Sequence, residues 1–570
     1  MTETISHDVL IVGSGIAGLR AAIEVSRVSG GRLSIGIVSK VHAMRSHSVC
    51  AQGGTAAVLH VDRGDSAEAH IFDTIKGSDY LADQDAVERL VSLAPKEIFQ
   101  LEHWGMPWSR DSDGRVAQRG FGGHSYPRAT FAGDRVGFYE MQTLYDLCLR
   151  YSNIQFYHEW YVTKIIVDGG EFRGATAIEI RSGNFVAFKA KAGLIATGGA
   201  GRLYAFATYS HSSTADGLAM AYRAGIPLKD MEFVQFHPTG LVPSGVLITE
   251  GARGDGGFLT NKDGERFMQK YAPQKLELAS RDVVARGIAR EIQEGRGFRD
   301  ESGLEYVHLD IRHLGAEKIK ERLSDIREVC IKLRGIDPIE QPIPVRYVCH
   351  FTMGGIHSNI DGATPVKGLW SAGEAACISV NGANRLGSNS TATCLVWGGI
   401  TGRAAAEYAM HHGSGNFRQE VVVLEEERIY DGIFRGEGKE NPYDVKRELE
   451  ETMDEHANVF RTEQGLAEGL KTIRALKQRA YQHVEDKARE FNMNLINVLE
   501  LESMLEVAEV VLAGAYARTE SRGAHFRLDF PKRDDEHWLK HTLAYKMPDG
   551  IRLEYSPVAI TRFQPQERTY

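Results

Sequence analysis

The stretch HDVLIVGSGIAGLRAAIEVSR, His7 to Arg27, leaves this chain few folds to choose from. Val9 to Val12 form an apolar run that reads as a buried strand, and the residues after Gly18 read as a helix. Between them lies Gly13-Ser14-Gly15-Ile16-Ala17-Gly18. The first glycine of such a turn permits the tight bend. The second brings backbone up to a pyrophosphate, and the third lets helix pack on strand. The helix N-terminus then faces the phosphates. LSIGIVSK, Leu33 to Lys40, supplies a second apolar strand and completes a βαβ unit. The fold class this predicts is α/β, with a Rossmann-like dinucleotide domain. The bland alternative is a purely structural turn.

The choice of dinucleotide follows from what ends the strands. The acid that commonly closes the second strand and binds a ribose is missing, because Ser39-Lys40 stands there. Two more glycine-rich strand ends, IATGGAG (Ile195–Gly201) and SAGEAA with Glu374, suit a long cofactor threading several loops. FAD is the better reading.

At 570 residues, two to four domains of ~100–200 residues are expected. A meander is predicted to end in a buried strand at Gly193–Thr197, and loops and polar helices to fill Phe236 to Val345. GLWSAGEAA then returns to a strand and turn, and the pattern is helical and charged from about residue 417. The last forty residues read as loop-rich. The expected division is 1–235 with 346–416, 236–345, 417–530 and 531–570. A net charge of −9 offers no basic footprint for nucleic acid. Cys50, Cys148, Cys330, Cys349, Cys377 and Cys394 form no C-x-x-C pair. That argues against a disulfide framework, a zinc site or an iron–sulfur cluster within this chain, and suits a reducing cytoplasm. The N-terminal residues lack the marks of a signal peptide, and no apolar run approaches the ~20 residues that cross a bilayer, so membrane association is expected only through a partner.

Seven stretches in order carry a resemblance. They are SKVHAMRSHSVCAQGG, DTIKGSDYLADQDAVERL, DMEFVQFHPTG, TEGARGDGGFL, HFTMGGI, GANRLGSNS and ESRGAHFRLDF. Together they closely resemble the flavoprotein subunit of succinate dehydrogenase and fumarate reductase, over nearly the whole chain. The resemblance implies an FAD-binding domain interrupted by a capping domain, then a helical domain and a C-terminal segment. It places FAD contacts at Gly13, Ser14, Gly15, Ala17, Gly18, Ser39, Lys40, Ser46, His47, Gly53, Gly54, Asp216, Glu374, Arg385 and Ser390. Asp216 has a second reading, as the cap of the helix beginning near Gly217. His47 matches a histidine bonded through its ring to the 8α-methyl of FAD. An alkyl substituent bearing an imidazole raises the flavin's potential, which suits a poor reductant such as succinate. A plain loop histidine is the bland alternative.

A four-carbon diacid needs cationic or strong hydrogen-bond donors at two places. By resemblance these come from His237, Thr249, His350 and Arg385, with Phe121 pressing on the substrate's double-bond region. Taken singly, each has an ordinary structural role open to it. Arg281 matches the residue that moves the proton, with Glu250 and Arg253 as a relay to solvent. Arginine is an unusual base, its pKa lying above ~12, so it needs desolvation and nearby positive charge. Merely clamping a carboxylate is its alternative role. The cap that carries Arg281 is expected to close over Arg385 and exclude water.

The resemblance also implies an iron–sulfur partner subunit, membrane anchor subunits with quinone, and a peripheral place on the cytoplasmic side of the membrane. RTESRGAH, Arg518 to His525, matches a stretch near that partner; otherwise it is an ordinary surface loop. Two other classes compete. An L-aspartate oxidase-like enzyme normally keeps an acid where Ser39 stands and lacks the linking histidine. A non-catalytic electron carrier has no need of a two-carboxylate pocket. Gln52 leans towards succinate oxidation, while RATFAGDRVGF and the short C-terminus look more like fumarate reductases.

Overall fold

The computed structural model describes residues 2–413, 415–479 and 483–568. A seven-stranded sheet organises the first part of the chain. Its parallel strands lie in the spatial order Ile154–His158, Ile35–Ser39, Glu3–Val12, Phe185–Ile195 and Leu369–Ser371. The antiparallel strands Trp160–Asp168 and Glu171–Glu179 complete it. Phe185–Ile195 pairs along its whole length with Glu3–Val12. Its other edge is shared, Phe185 to Lys189 pairing with Glu171–Glu179 and Gly193 to Ile195 with Leu369–Ser371. This strand begins well before the predicted Gly193. Lys189 and Lys191 interrupt its apolar pattern, yet both are partnered, Lys189 with Asn416 at 2.6 Å and Lys191 with Asp8 at 2.8 Å.

Helices Ile16–Ser29 and Asn389–His411 pack together against the sheet through Leu19, Ile23, Leu395 and Trp397, none of which reaches solvent. The segment between the two long strands Val234–Leu241 and Ile343–Thr352 has a core of its own, built on Ile248, Leu259, Val284, Ile288, Leu309 and Val345. The loops and polar helices predicted there are joined by a sheet in the order Val234–Leu241, Ile343–Thr352, Glu305–Asp310 and Phe258–Thr260. Those inner strands are short and flanked by charge, which is why the alternation did not show.

Helices Pro442–His456, Glu463–Lys477 and Met493–Ala517 share one hydrophobic cluster with the central sheet. The final residues are not loops alone. Lys540–Met547 and Gly550–Pro557 form a hairpin whose first strand pairs with Leu228–Lys229 in a second five-stranded sheet. RTESRGAH is no surface loop, and its charges are not available to a partner. Arg518, Glu520, Arg522 and His525 are at most 1% exposed. Arg518 pairs with Glu232 at 2.8 Å and Glu520 at 3.0 Å, and Arg522 with Glu520 at 2.8 Å. Among the described residues, no helix is long and apolar enough to cross a membrane.

Candidate active site

A cavity runs from the glycine turn to the cap. At the turn, Gly13 sits at φ +111°, and a Cβ there would lie 2.2 Å from the Ala196 carbonyl oxygen. Gly18 does not line the cavity; its missing Cβ lets the helix sit against the Gly13 carbonyl, 2.0 Å from where that Cβ would be. Gly15 gives helix Ile16–Ser29 no side-chain cap; the Ile16 N–H reaches the Ser48 hydroxyl at 3.3 Å, which leaves the Ala17 and Gly18 N–H groups to an anion. Ser14, Gly15, Ala17, Ser39, Lys40, Ser46, Gly53, Gly54 and Ser390 all line the same cavity. The Ser14, Thr197 and Ser388 hydroxyls and the Gln52 amide oxygen are buried in its wall without hydrogen-bond partners among the described residues. N–H groups in the helix's first turn at one end and unpaired polar atoms along the length fit a bound dinucleotide.

Beside the turn, the Lys40 ammonium reaches Asp216 at 2.6 Å, Glu500 at 2.6 Å and the Thr214 hydroxyl at 2.7 Å. Burial lowers its affinity for a proton, but Asp216 and Glu500 reverse this and hold it above the ordinary lysine value. Asp216 is the first residue of helix Asp216–Arg223, not its cap; Ala215 holds that place, in the left-handed region at φ 65°, with no side-chain cap bond. The carboxylate is spent on Lys40 instead.

His47 opens a short 3₁₀ turn, His47–Cys50, on the cavity wall. Its ring stacks on Tyr209, with centroids 4.7 Å apart and planes 20° apart. Its Nδ1 accepts the Ser210 N–H at 3.3 Å, which leaves Nε2 as the ring nitrogen without a partner among the described residues. Burial, then the charge of Arg202, pushes its pKa down to about 4, so the imidazole is neutral. Tyr209 in turn donates to the Glu374 carboxylate and accepts the Thr352 N–H at 3.0 Å. Burial lifts Glu374 to about 7. No local sequence pattern marks Tyr209; its partners His47 and Glu374 are 162 and 165 residues distant.

The other end of the cavity is cationic. His237, Thr249, Glu250, Arg281, His350, Arg385 and Phe121 line it together. The two histidines lie on the paired strands Val234–Leu241 and Ile343–Thr352, with ring centroids 4.9 Å apart. The ladder there is irregular. Gln235 pairs with Phe351 and Phe236 with Cys349, so His350 is the extra residue of a β-bulge. The bulge turns its ring to the same side as His237. His237 Nδ1 accepts the Thr239 N–H at 3.2 Å, and its Nε2 is buried with no partner among the described residues. Burial and then Arg281 push both histidines well below the ordinary imidazole range, so both are neutral.

Arg281 begins helix Arg281–Gln293. Its Nε and Nη2 each lie 2.8 Å from Glu250 Oε2, and Nη1 donates to Gln235 Oε1 at 3.1 Å. Glu250 also accepts the Gly122 N–H at 2.8 Å, beside Phe121. Burial raises the Glu250 carboxyl, but Arg281 and Arg253 more than offset this and hold it below the usual carboxylate range. Arg253 stands 3.8 Å from Glu250, donates to the Glu277 carbonyl, and has no exposed side-chain surface. Arg253 is buried and lies behind the cavity wall. Burial, then Arg281, takes Arg385 down to about 9. The Thr249 hydroxyl accepts the Gly251 N–H at 3.2 Å and so caps the turn carrying Glu250 and Arg253. Gln235 was not singled out from sequence, though it lies in FVQFHPTG. Its amide spans the site, accepting from Arg281 and donating to the Arg385 carbonyl at 2.7 Å and to Asn384 at 2.8 Å.

Residues 8–391 match the FAD binding domain family, and residues 446–570 match the family of fumarate reductase flavoprotein C-termini. A Mycobacterium tuberculosis fumarate reductase flavoprotein subunit is 46% identical, over 100% of both chains. A Rickettsia bellii succinate dehydrogenase flavoprotein subunit is 42% identical, over 97% of this chain and 95% of its own. A solved E. coli quinol fumarate reductase flavoprotein superposes with a TM-score of 0.97 at 42% identity, covering 99% of each chain. With these likenesses spanning the whole chain, and a glycine turn and a cationic pocket sharing one cavity, the chain belongs to the FAD-dependent succinate dehydrogenase and fumarate reductase flavoprotein family.

Proposed function

We propose that this chain interconverts succinate and fumarate at the cationic end of the cavity, and that His47 is the covalent attachment point of FAD. The carrying observation is that His237, His350, Arg281 and Arg385 share one cavity with His47 and the glycine turn. Bound FAD supplies the hydride acceptor or donor. Arg385 and the two neutral histidines hold the substrate's carboxylates. Since His237 Nδ1 is an acceptor, its proton sits on Nε2, which donates to a carboxylate oxygen. Arg281 gives the proton to the substrate carbon in one direction and takes it in the other, and Glu250, at 2.8 Å, passes it on. Phe121 closes the wall against water. Nε2 of His47 is the nitrogen that forms the link, because Nδ1 is committed to Ser210.

Electrons leave to an iron–sulfur subunit, then to quinone at membrane anchor subunits, which hold the chain peripherally on the cytoplasmic side. A solved relative at 42% identity is a quinol fumarate reductase with menaquinol molecules, which supports this assembly. Gln52, in the cavity wall, favours succinate oxidation as the working direction. The names of the fumarate reductase relatives favour the reverse. The flavin-loaded chain should oxidise succinate with an artificial acceptor, reduce fumarate with a reduced dye, and leave L-aspartate untouched. Comparing ubiquinone with menaquinol as partner of the purified complex then fixes the direction. Turnover of L-aspartate with neither diacid bound would overturn the reading.

A further inference from the structure

Behind the cavity wall lies a buried acid that the chemistry above does not use. Glu140, on helix Val136–Cys148, has no exposed surface. One of its oxygens accepts the Thr55 hydroxyl, and the other has no hydrogen-bond partner among the described residues. Thr55 Oγ1 lies 2.8 Å from Thr391 Oγ1, which lies 3.2 Å from the Gly54 carbonyl. Thr391 and Gly54 line the cavity next to Gly53, which abuts Phe121. A row of oxygens therefore leads from the carboxyl to the cavity wall.

A carboxyl here is costly to bury, and an apolar residue would fill the space without that cost. Among the described residues, no cation offsets it. On the neighbouring helix Ile16–Ser29, Arg20 and Glu24 are paired with each other, and Arg20 with Glu97. Beside the strand Ala129–Thr130, Arg128 is paired with Asp65 and Asp73. Arg119, on the strand Gln118–Arg119, donates to the Gln52 and Gly53 carbonyls, and Arg45 of the adjoining turn is exposed. The Cys394 thiol, on helix Asn389–His411, feels the charge of Glu140 but is itself raised to about 12 and stays protonated. Burial lifts Glu140 to about 7, only partly offset by the Thr55 bond.

We propose that Glu140 is a positioning residue that takes up a proton from solvent when an electron pair arrives in the cavity and releases it when the pair leaves, with Thr55 and Thr391 linking it to the wall. This rests on the FAD reading above. Hydride gained from succinate adds one negative charge to the cofactor, and in a low-dielectric interior that charge raises a nearby acid's hold on its proton. No bond forms to Glu140 other than O–H, the proton comes from water, and the electrons go on to the enzyme's ordinary acceptor.

The test is the two-electron midpoint potential of the flavin-loaded protein against pH, in the wild type, Glu140→Gln and Thr391→Val. One extra proton per electron pair changes the equilibrium constant tenfold per pH unit, which for a two-electron couple is 29.6 mV. The wild-type slope near neutral pH should exceed that of Glu140→Gln by up to this tenfold change, with Thr391→Val between them. Redox-difference infrared spectra of the wild type should show a protonated carboxyl band on reduction that Glu140→Gln lacks. Equal slopes in flavin-loaded wild type and variant overturn the proposal and leave the FAD reading standing. If the variant does not fold, the wild-type spectrum decides alone, and absence of the band overturns the proposal. A wild-type chain that takes up no flavin sinks the FAD reading itself.

Discussion

Arg281→Lys separates proton transfer from binding. The arginine makes three contacts that lysine cannot reproduce: Nε and Nη2 to one oxygen of Glu250 at 2.8 Å, and Nη1 to Gln235 at 3.1 Å. Lysine has a single nitrogen on a different stem and cannot hold Glu250 and Gln235 at once. Losing a positioned proton-transfer group typically costs 10²–10⁴ in rate, or about 2.7–5.5 kcal/mol in the barrier. Binding should suffer much less, because His237, His350 and Arg385 remain in place. The expected result is a kcat for succinate oxidation lowered at least a hundredfold, with the Kd for fumarate, read from the flavin spectrum, changed less than about tenfold. The reasoning fails if kcat stays within about tenfold of the wild type while Kd rises by the whole hundredfold. Arg281 would then be a carboxylate clamp.

Three more outcomes follow from the structure. His47→Ser should release all flavin into the supernatant on acid denaturation, whereas the wild type should keep it with the precipitated chain; release from both would remove the covalent link. Asp134 accepts the N–H groups of Asp325 and Ile326, at 2.9 and 3.3 Å, where helix Ser324–Arg334 of the cap begins. Asp134→Ala loses that capping bond, about 1 kcal/mol or roughly a fivefold shift away from the docked cap, and should raise the KM for succinate accordingly; an unchanged KM would mean that this contact does not hold the cap. His541 lies between Asp230 at 2.6 Å and Asp83 at 3.1 Å. Burial lowers its pKa, but the two aspartates carry it above the ordinary 6.5, so its stabilisation is complete below pH 6.5 and fades as pH rises through the higher folded value. The Tm should fall over that range, and less steeply in His541→Gln; parallel Tm curves would show that the imidazole is not charged in the fold.

The glycine turn was legible because everything it needs is local: three glycines, an apolar strand before them and a helix after. The cationic end was legible only through resemblance, since no spacing along the chain ties His237 to Arg281 or Arg385. Gln235, Tyr209 and Glu140 stayed hidden for the same reason. Their partners are 46, 165 and 85 residues away, so only the folded chain shows what they do. RTESRGAH misled in the opposite direction. Its charges suggest solvent, but Glu232, far back in the sequence, and Glu520 within the stretch neutralise the arginines and allow them inside. The short inner strands of the cap lack enough residues for an alternating pattern to stand out from their charged flanks.

The bulge that presents His350 makes chain length, rather than side-chain identity, the quantity this site cannot surrender. Loops of the cap that reach the surface can gain or lose residues without disturbing the histidine pair. Between Arg346 and Thr352, a single deletion would remove that bulge, leave the compensating shift between His237 and Gly240 unmatched, and carry the second imidazole away from the first. Drift among descendants of this chain should therefore swap residues on these two strands far more often than it changes their count.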